Sequence, residues 1–402
     1  MVNFRVQRAL AVALVVALLG VAALPWIDAA AFIVRAAGLT SGLPGRLASV
    51  RATRITRQDL APIQTRHGDV PARLYRPARL TRTVLLVPGV HMDGIDETRL
   101  VGMAEDLAAT GYAVVTVAPP DLRRFQITPA NTDVIEDAAR WIATQPALAP
   151  DGRVGMVGIS FSGGLSIVAA GRPPLRDQVA FVMSFGGHGD LLRVMRYLTS
   201  GTTPTGPADP SAGGTVHGAA AMRMLPPHDY GVTVVLLTYA DRVVPADQVE
   251  PLRAAILVYL TASSLTLVDM TRADAAFARA RTMAETLPEP ARTLMTYVND
   301  RNVTALGPRL FPVVDALGDD AAARAMSPER VPPPSAPVFL LHGSEDSVIP
   351  PVETLFLAAH LHEHTRVTGL LSGLITHAEV NRAPALADVW ALTRFWRTLM
   401  RY

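Results

Sequence analysis

The chain has 402 residues, half of them apolar, which is enough for one large α/β domain with an insertion or for two ordinary domains. All 37 basic residues are arginine and cysteine is absent, so a phosphate-loop lysine, a Schiff base, a Ser-Lys dyad, a thiol nucleophile, a disulfide and a Cys-ligated zinc are excluded. A formal charge of +2, with no basic run interleaved with aromatics, gives no footing for a nucleic-acid groove and leaves nucleophilic work to Ser, Thr, Asp or Glu.

In chain order, Arg5 and Arg8 come first, followed by an uncharged stretch from Ala9 to Ile27, long enough to cross a bilayer. Residues 1–35 therefore read as an N-terminal transmembrane signal anchor, or as a signal peptide cut at the small residues of DAAA (28–31), with a buried core helix as the third reading. The first two readings export the body, either membrane-anchored or secreted, because Arg5 and Arg8 stay on the cytoplasmic side. Residues 36–57, rich in Gly, Pro, Ser, Thr and Arg, read as a linker or surface helix.

The body opens at residue 58 with an antiparallel hairpin in IQTRHGDVPARLYRPA, turning at His67–Asp69. Strand and helix then alternate. TVLLVPG is a buried strand ending in a Pro-Gly break, ETRLVGMAEDLAATG has helical spacing, and YAVVTVAPP is a second buried strand. DVIEDAARWIATQP opens with an Asp-x-x-Glu capping box, Asp133 and Glu136, and RVGMVGIS and QVAFVMSFGG continue as strands. Strict alternation implies right-handed crossovers and a mostly parallel sheet with helices on both faces. The alternation stops at 189. Residues 190–334 are mostly helical in period and read as a helical cap insertion, with GVTVVLLTYA (231–240) open between helix and strand. It resumes over 335–402 with APVFLLHGSEDSVIP, a helix over 351–362, TRVTGLLSGL and a closing helix.

Three loops carry chemistry. VGMVGISFSGG places two serines on a strand-to-helix hinge of small residues, the setting of a nucleophile elbow. Gly158 and Ser162 flank Ser160 at the two positions that must be small; Ser160 and Gly164 do the same for Ser162, so the pattern favours Ser160 by position and leaves Ser162 open. Asp346 follows the strand of LLHGSEDSVIPP and His377 follows the next strand in SGLITHAEV. Both loops fall at the carboxyl edge of one parallel sheet, where ligands bind. In such a set the imidazole takes the serine proton, and the carboxylate fixes the imidazole tautomer.

These segments resemble the α/β-hydrolase superfamily over about 58–402, and within it the esterase and dienelactone-hydrolase-like bacterial branch. VPGVHMDG is similar to the family's oxyanion loop, GISFSGG to its elbow, HGSEDSVIP to its acid loop and ITHAE to its histidine loop. The resemblance implies an α/β-hydrolase fold and cleavage of a small-molecule or lipid carboxylic ester through an acyl-enzyme on Ser160. Asp346 and His377 would complete the triad, and the backbone N–H groups of Val90 and Phe161 would form the oxyanion hole. An acyltransferase with the same triad, or a silent fold used for binding, are the alternatives. The chain departs from the pattern in two places: Ser162 ends the elbow where Gly is usual, and Pro88-Gly89 replaces His-Gly.

Other residues compete for roles. ADRVVP imitates EDSVIP, which makes Asp241 the alternative acid. His188 in FGGHGDL and His91 beside Asp93 are candidate substrate contacts. HLHEH (360–364) ends a helix, where His complements the dipole, so no metal or other cofactor is expected.

Overall fold

A computed structural model describes residues 22–39, 41–202, 215–266, 268–318, 320–375 and 386–402. Along the chain come helix α1 (22–36), α2 (Gly42–Val50), β1 (Ile55–Asp59), β2 (Ile63–Thr65), β3 (Gly68–Val70), β4 (Ala72–Pro77) and β5 (Arg82–Val87). Next are α3 (Thr98–Ala109), β6 (Tyr112–Val117), α4 (Pro120–Arg123), α5 (Pro129–Ala143), β7 (Val154–Ile159), α6 (Phe161–Gly171) and β8 (Val179–Phe185). The insertion carries α7 (Leu191–Ser200), β9 (Thr215–His217), α8 (Asp229–Thr238), α9 (Ala240–Val243), α10 (Ala246–Leu265), α11 (Met270–Thr286), α12 (Ala291–Asn299), α13 (Val303–Ala316) and α14 (Ala321–Ala325). β10 (Val338–Gly343), α15 (Val352–Leu361), β11 (Val367–Ser372) and α16 (Leu386–Leu399) close the chain.

Nine strands form one sheet in the order β1-β4-β6-β5-β7-β8-β10-β11-β9. β1, β4 and β6 pair antiparallel, and every pairing from β6 onward to β9 is parallel. β2 and β3 make the separate hairpin expected around His67. The inner strands are apolar on both sides because both faces are covered. Along β5, Val84 and Leu86 enter one apolar layer beneath α1, α3 and α16, while Leu85 and Val87 enter the other beneath α5, α6 and the insertion.

After β5 the chain crosses to β6 on one side, then returns to β7 on the other. A crevice opens at the carboxyl ends of strands where the winding reverses, so residues after β5 and β7 must line the site.

At four points the structure departs from these expectations or decides between them. α5 begins at Pro129 behind Thr128, one turn before the expected capping box. Pro at the first helical turn has its φ preset, and Asp133 and Glu136 instead take ion pairs from Arg172. The stretch 231–240, left open between helix and strand, is helical: 231–238 lie in α8 and Ala240 opens α9. The 190–334 insertion is not wholly helical, since β9 returns to the sheet beside β11. Strand β1 takes in Ile55–Arg57, assigned above to the linker, by pairing with β4.

The N-terminal segment also differs from a free-standing anchor. Residues 22–36 are helical and packed on the body: Ala29, Ala31 and Phe32 are buried, and Phe32 lies 4.3 Å from Trp396 between ring centroids. Among the described residues no helix is long and apolar enough to cross a membrane; positions 9–21 of the expected span lie outside them.

Candidate active site

The elbow forms because β7 runs straight into α6 with one residue between them, and that residue is Ser160. Its backbone is left-handed, φ 57° and ψ −134°, a strained region for a residue with a Cβ. The turn survives only with small neighbours: a Cβ at Gly158 would lie 2.1 Å from the carbonyl oxygen of Ser162. The Ser160 N–H donates to the Phe185 carbonyl at 2.7 Å, fixing the turn to the end of β8.

The two serines have different environments. Ser162 is fully buried and its hydroxyl donates to the Pro88 carbonyl at 2.5 Å, so its oxygen is committed to holding the loop after β5. Ser160 is half-buried at the crevice, and a Cβ on Gly89 would be only 3.3 Å from its own. The loop after β5 and the turn before α6 thus lie side by side at Gly89 and Ser160.

Asp346 sits after β10, buried, with Oδ1 accepting from the N–H groups of Val348 at 2.8 Å and Ile349 at 3.1 Å. Its Oδ2 lies 3.4 Å from His342 Nε2, and a Cβ on Gly186 would approach it to 3.6 Å. Since Phe185 anchors Ser160 and Gly186 abuts Asp346, the end of β8 brings the two together on one sheet edge. His377 lies outside the described residues. The chain leading to it crosses the end of β10, where a Cβ on Gly343 would meet the Ile375 carbonyl oxygen at 2.5 Å.

The competing residues separate clearly. Asp241 is half-exposed on the insertion, with Arg253 Nη2 at 3.3 Å and Arg242 Nε at 3.6 Å. His91 is half-buried, and its Nδ1 accepts from the Asp93 N–H at 3.3 Å. Burial pushes its pKa down, against the pull of Glu97 and Asp93. His188, expected at the cleft, is sealed: it has no exposed surface, its Nε2 donates to the Met326 carbonyl at 2.9 Å, and its ring lies 5.6 Å from that of Phe161. Burial lowers its pKa to about 4. In the HLHEH segment, His362 Nδ1 bonds the Ala359 carbonyl at 2.6 Å and the His360 and His364 rings lie 5.7 Å apart.

Three further residues brace these loops. Tyr230 of α8 donates its hydroxyl to the Val90 carbonyl at 2.8 Å, tying the insertion to the oxyanion loop. Burial pushes its pKa up, so the hydroxyl stays a donor. His342, fully buried, bonds Thr354 Oγ1 at 2.7 Å and the Ile349 carbonyl at 2.9 Å, bracing the acid loop. Arg193 of α7 grips Glu353 of α15 at 2.5 and 2.8 Å and Glu329 at 2.7 and 2.9 Å. Glu353 also accepts from the N–H groups of Gly189 and Asp190, so this network fixes the point where the insertion leaves the sheet. A small apolar cavity lies behind the elbow, lined by Ile127, Phe161, Met195, Leu198 and Val235.

Together the mostly parallel sheet, its reversed winding and the helices on both faces make an α/β fold, and the strand-to-helix turn at Ser160 fits the α/β-hydrolase pattern. No protein-family model matches the chain, and no curated protein matches it by sequence. Among solved structures it is similar to the Pyrococcus horikoshii acylaminoacyl peptidase, with TM-score 0.44 and 13% identity over 90% of this chain and 43% of that one. The chain therefore spans less than half the length of that peptidase. It is also similar to an esterase of Pyrobaculum calidifontis, TM-score 0.41, 16% identity, 88% of this chain and 89% of that one. A thermostable esterase from Pseudomonas putida ECU1011 gives TM-score 0.41 and 14% identity over 86% and 81%.

Proposed function

We propose that the protein is a serine hydrolase that cleaves a carboxylic ester, with Ser160 as nucleophile, His377 as base and Asp346 as the orienting acid. The observation that carries this reading is the left-handed backbone of Ser160, flush against Gly89 at the crevice of the sheet. Such strain persists where the surrounding structure holds a side chain out for use. His377 takes the Ser160 proton as the hydroxyl oxygen bonds to the ester carbon, and returns it to the departing alkoxide. Water then repeats the sequence on the acyl-enzyme and frees the acid. Charge on the carbonyl oxygen is met by the N–H groups of Val90 and Phe161.

The test is covalent labelling of the full-length protein with a fluorophosphonate, followed by a panel of esters of graded acyl length. Labelling lost in Ser160→Ala, with ester turnover in the parent, supports the reading. Labelling without turnover to water, but with transfer to an added alcohol, would make it an acyltransferase. Absence of labelling in a folded parent would leave a binding protein.

We also propose an extracytoplasmic body held at the membrane through the uncharged stretch 9–27 behind Arg5 and Arg8. Full-length protein should sediment with membranes, and its body should resist protease until the envelope is opened. Recovery in the cytosolic fraction would reject this location.

A further inference from the structure

The direction of two helices fixes which end of the molecule the 9–27 stretch reaches. Tyr402, just past α16, is held at the amino edge of the sheet: its carbonyl accepts from Arg82 Nε at the start of β5, and its hydroxyl accepts from Arg366 Nη1, beside the start of β11, at 2.9 Å. α16 therefore runs from the carboxyl edge, at Leu386, to the amino edge. α1 lies parallel to it, because Trp26 stacks on Trp390 at 4.6 Å and Phe32 meets Trp396 at 4.3 Å. At its far end Arg35 donates to the Asp106 carbonyl, close to where α3 hands over to β6 at the amino edge. The first turn of α1 is consequently at the carboxyl edge, the edge that carries Ser160 and Asp346.

On the side where α1 and α16 begin, that edge carries exposed apolar side chains, with the Arg223–Glu345 ion pair beside them. Leu386 is 88% exposed, Trp390 60%, and Leu24 and Leu225 38% each. Leu225 belongs there because its segment lies along the acid loop, with Arg223 N–H on the Ser344 carbonyl at 2.8 Å and His228 N–H on that of Ser347 at 2.9 Å. Leu386, Trp390, Arg394, Arg397 and Arg401 are spaced four, four, three and four residues apart, a single face of α16 and its C-terminal extension. The apolar members stand at the carboxyl edge and the arginines follow, with Arg397 4.2 Å over the Trp26 ring. Apolar tip, aromatic pair, then cations is the order in which a bilayer surface offers hydrocarbon, interface and anionic headgroups.

Chain length demands the same placement. Positions 9–21 precede the docked helix, and even wholly helical these would reach about 20 Å, short of a hydrocarbon core of about 30 Å. A span through 9–27 must use residues 22–27, which are already on the body.

We propose that the carboxyl edge of the sheet is seated on the bilayer through Leu24, Leu225, Leu386 and Trp390, so that the site opens onto lipid and the substrate is an ester resident in the membrane. This rests on the hydrolase and membrane readings above. The absence of cysteine provides a clean test. Leu386→Cys, Leu225→Cys and Leu43→Cys, the last 79% exposed on α2 beyond the amino end, each carry one nitroxide in the full chain, reconstituted in phosphatidylcholine–phosphatidylglycerol vesicles. Labels at 386 and 225 should be shielded from a water-soluble nickel chelate and open to oxygen, with 43 the reverse. Vesicle-bound protein with 386 in water, or with 43 in lipid, overturns the seating. Protein that does not float with vesicles overturns the membrane reading and this proposal with it.

A second arm follows turnover. Leu386→Glu should lower the ratio of vesicle-embedded long-chain ester turnover to soluble short-chain ester turnover about tenfold. An unchanged ratio overturns the assignment of substrate class. Failure of the fluorophosphonate to label the parent strikes instead at the hydrolase reading, which the spin labels do not touch.

Discussion

The Tyr230 hydroxyl reaches across from the insertion to the Val90 carbonyl at 2.8 Å, so an element that has no place in the sheet holds the loop expected to bind the oxyanion. The Phe125 ring stands edge-on to Tyr230 at 6.3 Å and fixes the ring. Tyr230 is a positioning residue. Tyr230→Phe keeps the ring and removes the proton, so the loop loses its tether while the nucleophile stays. Ester turnover should fall about tenfold, less than the 10²–10³ lost with a direct oxyanion donor, with kcat carrying the loss and KM nearly constant. Parallel changes in both constants, or in the circular dichroism, would assign Tyr230 to the fold alone.

Ser160→Ala and Ser162→Ala should part company. Loss of the Ser160 hydroxyl should abolish labelling and cut turnover by up to roughly 10⁶, with little change in stability, since its strained turn is retained. Ser162→Ala leaves the Pro88 carbonyl without its buried donor and should cost about 1–2 kcal/mol in urea unfolding while keeping most activity. Asp346→Asn should lose about 10⁴ in turnover by favouring the wrong imidazole tautomer, and Asp241→Asn, on the surface beside Arg253, should match the parent. An inactive Ser162→Ala with an active Ser160→Ala would move the nucleophile by two residues.

The sheet was legible because its inner strands are covered on both faces and so read as unbroken apolar runs; YAVVTV is buried at all six positions. The strand-to-helix turn at Ser160 and the loop after β5 were legible because their small residues answer local steric demands, visible at Gly158 and Gly89. What escaped was set by contacts distant in sequence. β9 is three residues long and exists only because β11 offers it an edge. Asp133 and Glu136 have capping spacing, yet Arg172 and Arg66 claim their carboxylates. His188 follows a strand, as a cleft residue would, but Met326 of the insertion folds over it. Tyr230 and Arg193 sit in helices whose period says nothing of the partner across the interface.

Arg193 is the one cation meeting two carboxylates at the root of the insertion, among the described residues. Glu353 is fully buried, and burial already pushes its pKa above the usual carboxylate range despite Arg193. Arg193→Met would strand that charge and should cost about 3–5 kcal/mol at pH 8. A carboxyl whose folded pKa is raised is more stable protonated, so its contribution falls as pH rises. The variant should therefore recover part of the loss at pH 5, seen as a narrowing gap between the urea midpoints of parent and variant. A gap independent of pH would show that the loss comes from packing on Phe356, whose ring lies 4.1 Å from the guanidinium, and not from the stranded charge.

His188 should impose an acid limit on the fold itself. Its imidazole has no exposed surface, a Cβ on Gly164 would lie 2.5 Å from its Cε1, and its Nδ1 has no hydrogen-bond partner among the described residues. With Nε2–H committed to the Met326 carbonyl, the ring is neutral, and a second proton would have to enter a sealed site. Burial accordingly lowers the pKa from the ordinary 6.5 to about 4. Above pH 6.5 the ring is neutral in folded and unfolded chains alike, and its contribution to stability is complete. As pH falls from 6.5 toward 4 only the unfolded chain takes the proton, so stability drains away across that window, by up to about 3 kcal/mol. His188→Gln keeps an amide donor for Met326 and removes the titration. Its stability at pH 7.5 should lie below the parent's, because the amide packs less well on Phe161, yet it should fall less steeply between pH 6.5 and 4. Urea unfolding at half-unit intervals measures both slopes; equal slopes would mean that the ring is protonated as readily inside the protein as outside it, and that the seal formed by Met326 and Gly164 opens in solution.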